Sequence, residues 1–185
     1  FLASSALPLP ELARALATDR AVLPDRAVVV AATRAEAIDL LSTVDVAAVT
    51  GTAAGSVRPV FVFPGQGSQW VGMAHGLAER FPVFAKAFDE ACGLLDAELA
   101  GAVFCGVRDA VFGIAQDRPV TELVAGAAED VPLLEQTVFA QAGLFAVEVA
   151  LVELFASWGI RPAAVLGHSV GEVAAALVAG VFELP

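Results

Sequence analysis

Residues 163–172 read AAVLGHSVGE: an apolar run, then Gly-x-Ser-x-Gly, then the start of a helical pattern. Ala163–Leu166 reads as a strand and Val170–Ala179 as a helix closed by Gly180. Set between a strand and a helix, Gly167-His168-Ser169-Val170-Gly171 has the context of a nucleophile elbow. The serine of such a turn is held in a strained conformation above the sheet edge, and the crowding favours glycine on either side. The helix that follows directs unpaired N–H groups and its positive end at the same spot. The Val170 N–H is therefore a natural donor to an oxyanion formed on a carbonyl attacked by Ser169.

An oxyanion hole needs a second donor, usually from a loop after another strand of the same sheet. Residues 59–70, PVFVFPGQGSQW, have the required form. Pro59–Phe63 is apolar throughout, as expected of a strand covered on both faces. A glycine-flanked loop follows and can bring the Gln66 N–H beside Ser169, and Trp70–Glu79 reads as a helix. Two strand–loop–helix units, each with its loop at the strand's carboxyl end, predict parallel strands with helical crossovers and a ligand site at that edge. A serine nucleophile also needs a base. His168 adjoins Ser169, and adjacent side chains diverge in an elbow, while His75 reads as an exposed helical residue. The general base is expected outside these 185 residues.

Outward from these two stretches, Leu9, Leu12, Ala13 and Leu16 share one face of a helix over 9–18. Ala27–Ala31 (AVVVA) predicts a short buried strand, Thr33-Arg-Ala-Glu36 a capping box opening a helix to about Leu41, and Val46–Thr50 another strand. Gly51–Ser56 has linker composition, so residues 1–57 read as a small α/β module and 58–185 as a second unit. In the second unit a helix is expected over Pro82–Asp96 and a long apolar one over Ala142–Trp158, closed by Gly159 and followed by Pro162. Residues 97–131 are weakly patterned. The chain is 58% hydrophobic and 17% charged, which excludes the disordered class. A net charge of −11 repels nucleic acid and anionic membrane, and is met by solubility. Cys92 and Cys105 lack a metal-ligand spacing, and no signal peptide opens the chain, so reduced cytoplasmic thiols and no metal are expected. No apolar run approaches the ~20 residues of a membrane span; the longest, 142–156, is interrupted by Glu148 and Glu153. The opening FLASSALPLP has no Met and the last residues, AGVFELP, follow closely on a helix, so an excised piece of a longer polypeptide is expected.

Together, FVFPGQGSQWVGMA and LGHSVGEVAAALVAG resemble the acyltransferase domain of modular type I polyketide synthases, close to malonyl-CoA:acyl-carrier-protein transacylases. RAVVVAATRAEAIDLL and the linker after it resemble the α/β module that joins ketosynthase to acyltransferase. The resemblance implies an α/β-hydrolase-like parallel-sheet core, of which this chain holds the N-terminal part. It implies a reaction in which acyl-CoA acylates Ser169 and the acyl group passes to the phosphopantetheine thiol of an acyl carrier protein, with no cofactor bound by the domain itself. It makes Ser169 the nucleophile, Gln66 and Val170 the oxyanion donors, and His168 and Gln141 substrate-binding residues. It puts the catalytic histidine, the arginine that pairs with the malonyl carboxylate and a ferredoxin-like subdomain downstream, so the fragment alone is expected to be inactive or nearly so. Val170 and Thr137-Val-Phe-Ala-Gln141 are similar to the malonyl-selective pattern. Where the family usually has Gln-Pro-Ala, this sequence has Gln141-Ala142-Gly143, and Gly143 costs up to about 1 kcal/mol in helix propensity. The elbow alone is also compatible with a serine esterase or thioesterase, and the incomplete constellation with a non-catalytic linker or docking element.

Overall fold

The chain divides into two units, Phe1–Val57 and Arg58–Pro185, in a computed structural model that describes residues 2–21, 23–43, 50–52, 58–103, 105–114, 122, 124 and 131–185. In the first unit, α1 (Leu9–Thr18) starts at prolines suited to a first turn and buries Leu12 completely. Helix α2 (Arg34–Thr43) begins at the expected box: Thr33 Oγ1 accepts the Glu36 N–H at 3.2 Å, and Glu36 Oε2 reaches back to the Ala32 N–H at 2.8 Å. The Arg34 guanidinium donates to the carbonyls of Leu2, Ser5 and Leu7 and so gathers the N-terminal turn onto α2.

The strand expected over Ala27–Ala31 is displaced. β1 is Asp25–Ala27, antiparallel to β2 (Thr50–Thr52) with Arg26 opposite Gly51. Val28 and Val30 lie outside it and are 73% and 87% exposed. Hydrogen bonding to a partner that lies opposite 25–27, and not valine content, sets this strand's place. Gly51 and Thr52, assigned to a linker by composition, belong to β2. The strand expected over Val46–Thr50 falls, but for Thr50, outside the described residues.

The second unit is organised around α6 (Thr137–Ser157), which starts a turn earlier than its apolar run suggests. This helix is apolar all round because it is covered on two sides. One side meets α4 (Pro82–Glu98) and α5 (Val107–Phe112) in a core where Phe84, Phe88, Phe139, Val107 and Val111 are fully buried. On the other, Phe145 and Val149 pack with Phe63 of β3 (Val60–Phe63) and with Ala174 and Ala175 of α7 (Gly171–Val178). By length and composition α6 could cross a membrane, contrary to the expectation that no run was long enough; 67% of its apolar window is buried inside the fold, as befits a core helix.

β3 pairs in parallel with β4 (Ala164–Gly167), Val60 opposite Ala164 and Phe63 opposite Gly167. Parallel pairing is as expected; cover on both faces is not, since Val60, Val62 and Leu166 are exposed while Phe63 is buried. Within this unit, Phe63 and Phe61 turn towards α6 and α7. The helix after the glycine loop, expected from Trp70, is α3 (His75–Arg80). Gly72 at φ 84° keeps residues 70–74 in turns, and its N–H is taken by the Val111 carbonyl at 2.7 Å. Within the weakly patterned 97–131, α5 is a helix that the sequence did not announce. Its N-terminal amide, Val107 N–H, is capped by Asp96 Oδ1 from α4 at 2.8 Å, and Gly113 ends it at φ 75°.

Candidate active site

β4 delivers Ser169 to the edge where both parallel strands end. Ser169 has φ 55°, in the left-handed region, and is the one non-glycine residue there among the described residues. That conformation costs an L-residue about 1–2 kcal/mol, so the surroundings must hold it, and they do so by backbone contact. A Cβ built on Gly167 would lie 2.4 Å from both Glu172 Cα and the Gly171 carbonyl oxygen. One on Gly171 would lie 2.4 Å from the Phe63 carbonyl oxygen and 2.5 Å from that of Pro64. No side chain fits at either position, and the second contact ties the start of α7 to the end of β3. The His168 N–H donates to the Phe63 carbonyl at 3.1 Å, extending the ladder to the elbow itself.

The PGQGSQ loop lies against this turn. A Cβ on Gly65 would stand 2.8 Å from His168 Nδ1, 2.9 Å from the His168 carbonyl oxygen and 3.1 Å from Ser169 Cβ. Gln66 is exposed next to it, and its Oε1 accepts from Gln141 Nε2 at 3.4 Å, so a residue of α6 reaches the same place. The structure thus brings together Gln66, Gln141, His168, Ser169 and Val170, drawn from three stretches of chain. Among the described residues, neither the Val170 nor the Gln66 N–H has a hydrogen-bond partner, and no hydrogen bond reaches Ser169 Oγ.

A parallel sheet edge with a serine elbow packed against a glycine–glutamine loop invites comparison with known proteins. Residues 60–184 match the model of the acyl transferase domain. This chain belongs to that family. Polyketide synthase GfsB of Streptomyces halstedii is 46% identical over 186 residues, covering 96% of this chain and 3% of that protein. The acyltransferase domain from module 8 of the salinomycin polyketide synthase superposes with a TM-score of 0.67 at 36% identity, over 98% of this chain and 40% of that one. A malonyl-transacylase from a complex with a type II acyl-carrier protein gives a TM-score of 0.50 at 31% identity, over 69% of this chain and 34% of that one. The chain is thus part of an acyltransferase domain of polyketide synthase type, spanning about two-fifths of the solved domain and a few per cent of the synthase it matches.

Other reactive groups of this acyltransferase segment lie apart from the elbow. His75 is exposed, as expected, and its contacts are Glu79 at 3.7 Å and the ring of Phe112. Cys92 is a buried free thiol. Burial, reinforced by Asp96 and Asp89, pushes the Cys92 thiol up to about 12, which leaves it unreactive.

Two acidic residues and a glutamine escaped the sequence reading. Glu148 of α6 is 5% exposed, and neither carboxylate oxygen has a hydrogen-bond partner among the described residues. It lines an apolar cavity of about 480 Å³ between β3 and α6, beside Phe61, Phe63, Trp70 and Met73. Loss of hydration pushes its carboxyl up to about 7. Only the interruption of the long apolar run by an acid hinted at this. Gln69, buried at 8% exposure, joins the loop to Glu135. A sequence separation of 66 residues gave no signal of that pairing.

Proposed function

We propose that this segment carries the nucleophile and oxyanion hole of an enzyme that moves a malonyl-type acyl group from acyl-CoA to an acyl carrier protein. Ser169 Oγ attacks the thioester carbonyl carbon and forms a C–O bond, and its proton passes to a general base. The tetrahedral oxyanion accepts hydrogen bonds from the Val170 and Gln66 N–H groups. It then collapses with cleavage of the C–S bond, and the CoA thiolate leaves and takes up a proton. The reverse sequence, with a phosphopantetheine thiol as nucleophile, releases Ser169 and loads the carrier. His168 and Gln141 border the acyl group, and Gln141 holds the Gln66 side chain to one side. Residues 1–57 join the domain to a preceding ketosynthase.

The observation that carries this reading is Ser169 held at φ 55° with the glycine–glutamine loop in van der Waals contact with its turn. The two unpartnered amides supply what a developing oxyanion requires, and preorganised donors of this kind contribute about 3–4 kcal/mol each to barrier lowering. The transacylase neighbour solved with an acyl-carrier protein supports the choice of acceptor. The test is to give the full domain containing this chain radiolabelled malonyl-CoA. Label is expected on Ser169 and absent from Ser169→Ala. Label retained by Ser169→Ala overturns the mechanism, and steady ester hydrolysis outpacing transfer to a carrier thiol would favour an esterase.

A further inference from the structure

The glycine loop contains a second glutamine, which plays no part in the constellation above. Gln69 is buried where Gln66 is exposed. Its Oε1 accepts the Gly67 N–H at 2.7 Å, and its Nε2 donates to Glu135 Oε2 at 2.9 Å. An ionised carboxylate can only accept hydrogen bonds. Glu135 therefore admits only the amino end of the Gln69 amide, and the carbonyl end is turned to Gly67. On the other side of Gln66, Ser68 Oγ donates to the Gly65 carbonyl at 3.0 Å.

These bonds act on the two peptide planes that flank Gln66. The Gly65 carbonyl and the Gln66 N–H belong to one planar trans unit and point in opposite directions, so holding the first aims the second. The Gly67 N–H belongs to the next plane, and Gln69 holds that one. Gly67 itself sits at φ 111°, and a Cβ there would meet nothing within 4 Å, so the Gln69 bond to its N–H does the holding. We propose that Gln69, oriented by Glu135, is a positioning residue that keeps the Gln66 amide aimed at the oxyanion. The inference rests on the reading of Ser169 as nucleophile. Glu135 touches neither the elbow nor the substrate and acts only through Gln69.

The test is an exchange of the two side chains in the full acyltransferase domain. Gln69→Glu sets two carboxylates about 3 Å apart, and the pair loses its donor. Ser169 acylation should slow by about tenfold or more with KM for acyl-CoA little changed, the signature of a loss confined to the transition state. Glu135→Gln keeps a bonded amide pair but no longer dictates which end faces Gly67, and should slow acylation only by about twofold to fivefold. The exchange Gln69→Glu/Glu135→Gln restores a donor facing a carboxylate and leaves the other oxygen of residue 69 to accept the Gly67 N–H. Its rate should return to within about threefold of the wild type. An exchange variant no faster than Gln69→Glu, or a Gln69→Glu domain acylating at the wild-type rate, overturns the proposal. Hydrogen exchange at the Gly67 amide provides a readout independent of turnover. Protection in the wild type and the exchange variant, lost in Gln69→Glu, supports the clamp, and equal exchange in all three overturns it. If the wild-type domain takes no label on Ser169, the reading of the site fails, and Gly67 exchange alone then decides the clamp.

Discussion

Replacing Gly65 by alanine should separate the two halves of the oxyanion hole while leaving both loops folded. A Cβ at residue 65 falls 2.9 Å from the His168 carbonyl oxygen and 3.1 Å from Ser169 Cβ, where ordinary contact begins at 3.4 Å. The glycine loop must therefore retreat from the elbow by about half an ångström. Its third contact, His168 Nδ1 at 2.8 Å, is a side chain that can turn away; the carbonyl cannot, because it accepts the Gly171 N–H at 3.0 Å. Overpacking of this kind costs about 1–3 kcal/mol of stability. A displacement approaching 1 Å in a site of this precision can slow a reaction by about a hundredfold, so half that shift should cost roughly tenfold in acylation rate. The assay is a rapid-quench burst of labelled acyl-enzyme in the full domain, with a thermal melt to confirm folding. Gly76→Ala in α3 is the control: its Cβ meets nothing within 4 Å and its backbone is helical, so it should leave the rate unchanged. Gly65→Ala/His168→Ala removes the flexible contact and keeps the rigid one, and should be no faster than Gly65→Ala. A Gly65→Ala domain that acylates at the wild-type rate would refute the claim that the glutamine loop must touch the elbow for the chemistry to proceed.

Two further changes test the core. A Cβ on Gly143 would lie 2.6 Å from Val111 Cγ2, so Gly143→Ala should destabilise the fold by about 1–3 kcal/mol in urea unfolding in spite of alanine's better helix propensity, and Val111→Ala should recover part of the loss. The carboxyl of Glu148 is pushed up from 4.5 to about 7, so between those values the folded form keeps a proton that the unfolded form has released. Stability should fall by about 3 kcal/mol as pH rises through that interval and level off above it. Glu148→Gln should flatten the profile, with the largest gain over wild type at pH 8 and little at pH 4, and an unchanged pH profile would refute the assignment.

How much of this was legible in the sequence depends on where each interaction finds its partner. The elbow, the glycine loop and the parallel pairing of their strands were readable because the necessary residues are contiguous: glycines where no Cβ fits, an apolar run before, a helical pattern after. Helix α5 was not, because its N-terminal amide is capped by Asp96 from another helix and its six residues carry too little pattern of their own. The start of α3 was misplaced for a similar reason, since the Gly72 N–H is taken by the Val111 carbonyl, 39 residues along the chain. Gly143 is the instructive case. Read locally it is a weak point in a helix; in the fold it is the point where α5 and α6 approach too closely for a methyl group. The valines of 28–30 show the converse, a strand-forming composition that forms no strand where its ladder partner lies elsewhere.

The contacts about Ser169 also divide the work between backbone and side chains. Gly65, Gly167 and Gly171 each bring main chain to within a distance no other residue allows, and the groups they align are main-chain amides. In the proposed mechanism, oxyanion binding of this kind does not depend on the side chains of Gln66 and Val170, which are left to serve another purpose. Gln66 uses its side chain to accept from Gln141 of α6, while the next amide along the chain, that of Gly67, is held by the Gln69–Glu135 pair. Substitutions at 66, 141 and 170 that keep the backbone in place should therefore alter which acyl group is accepted more than how fast a good one reacts. Substitutions at the three glycines should slow every acyl group alike.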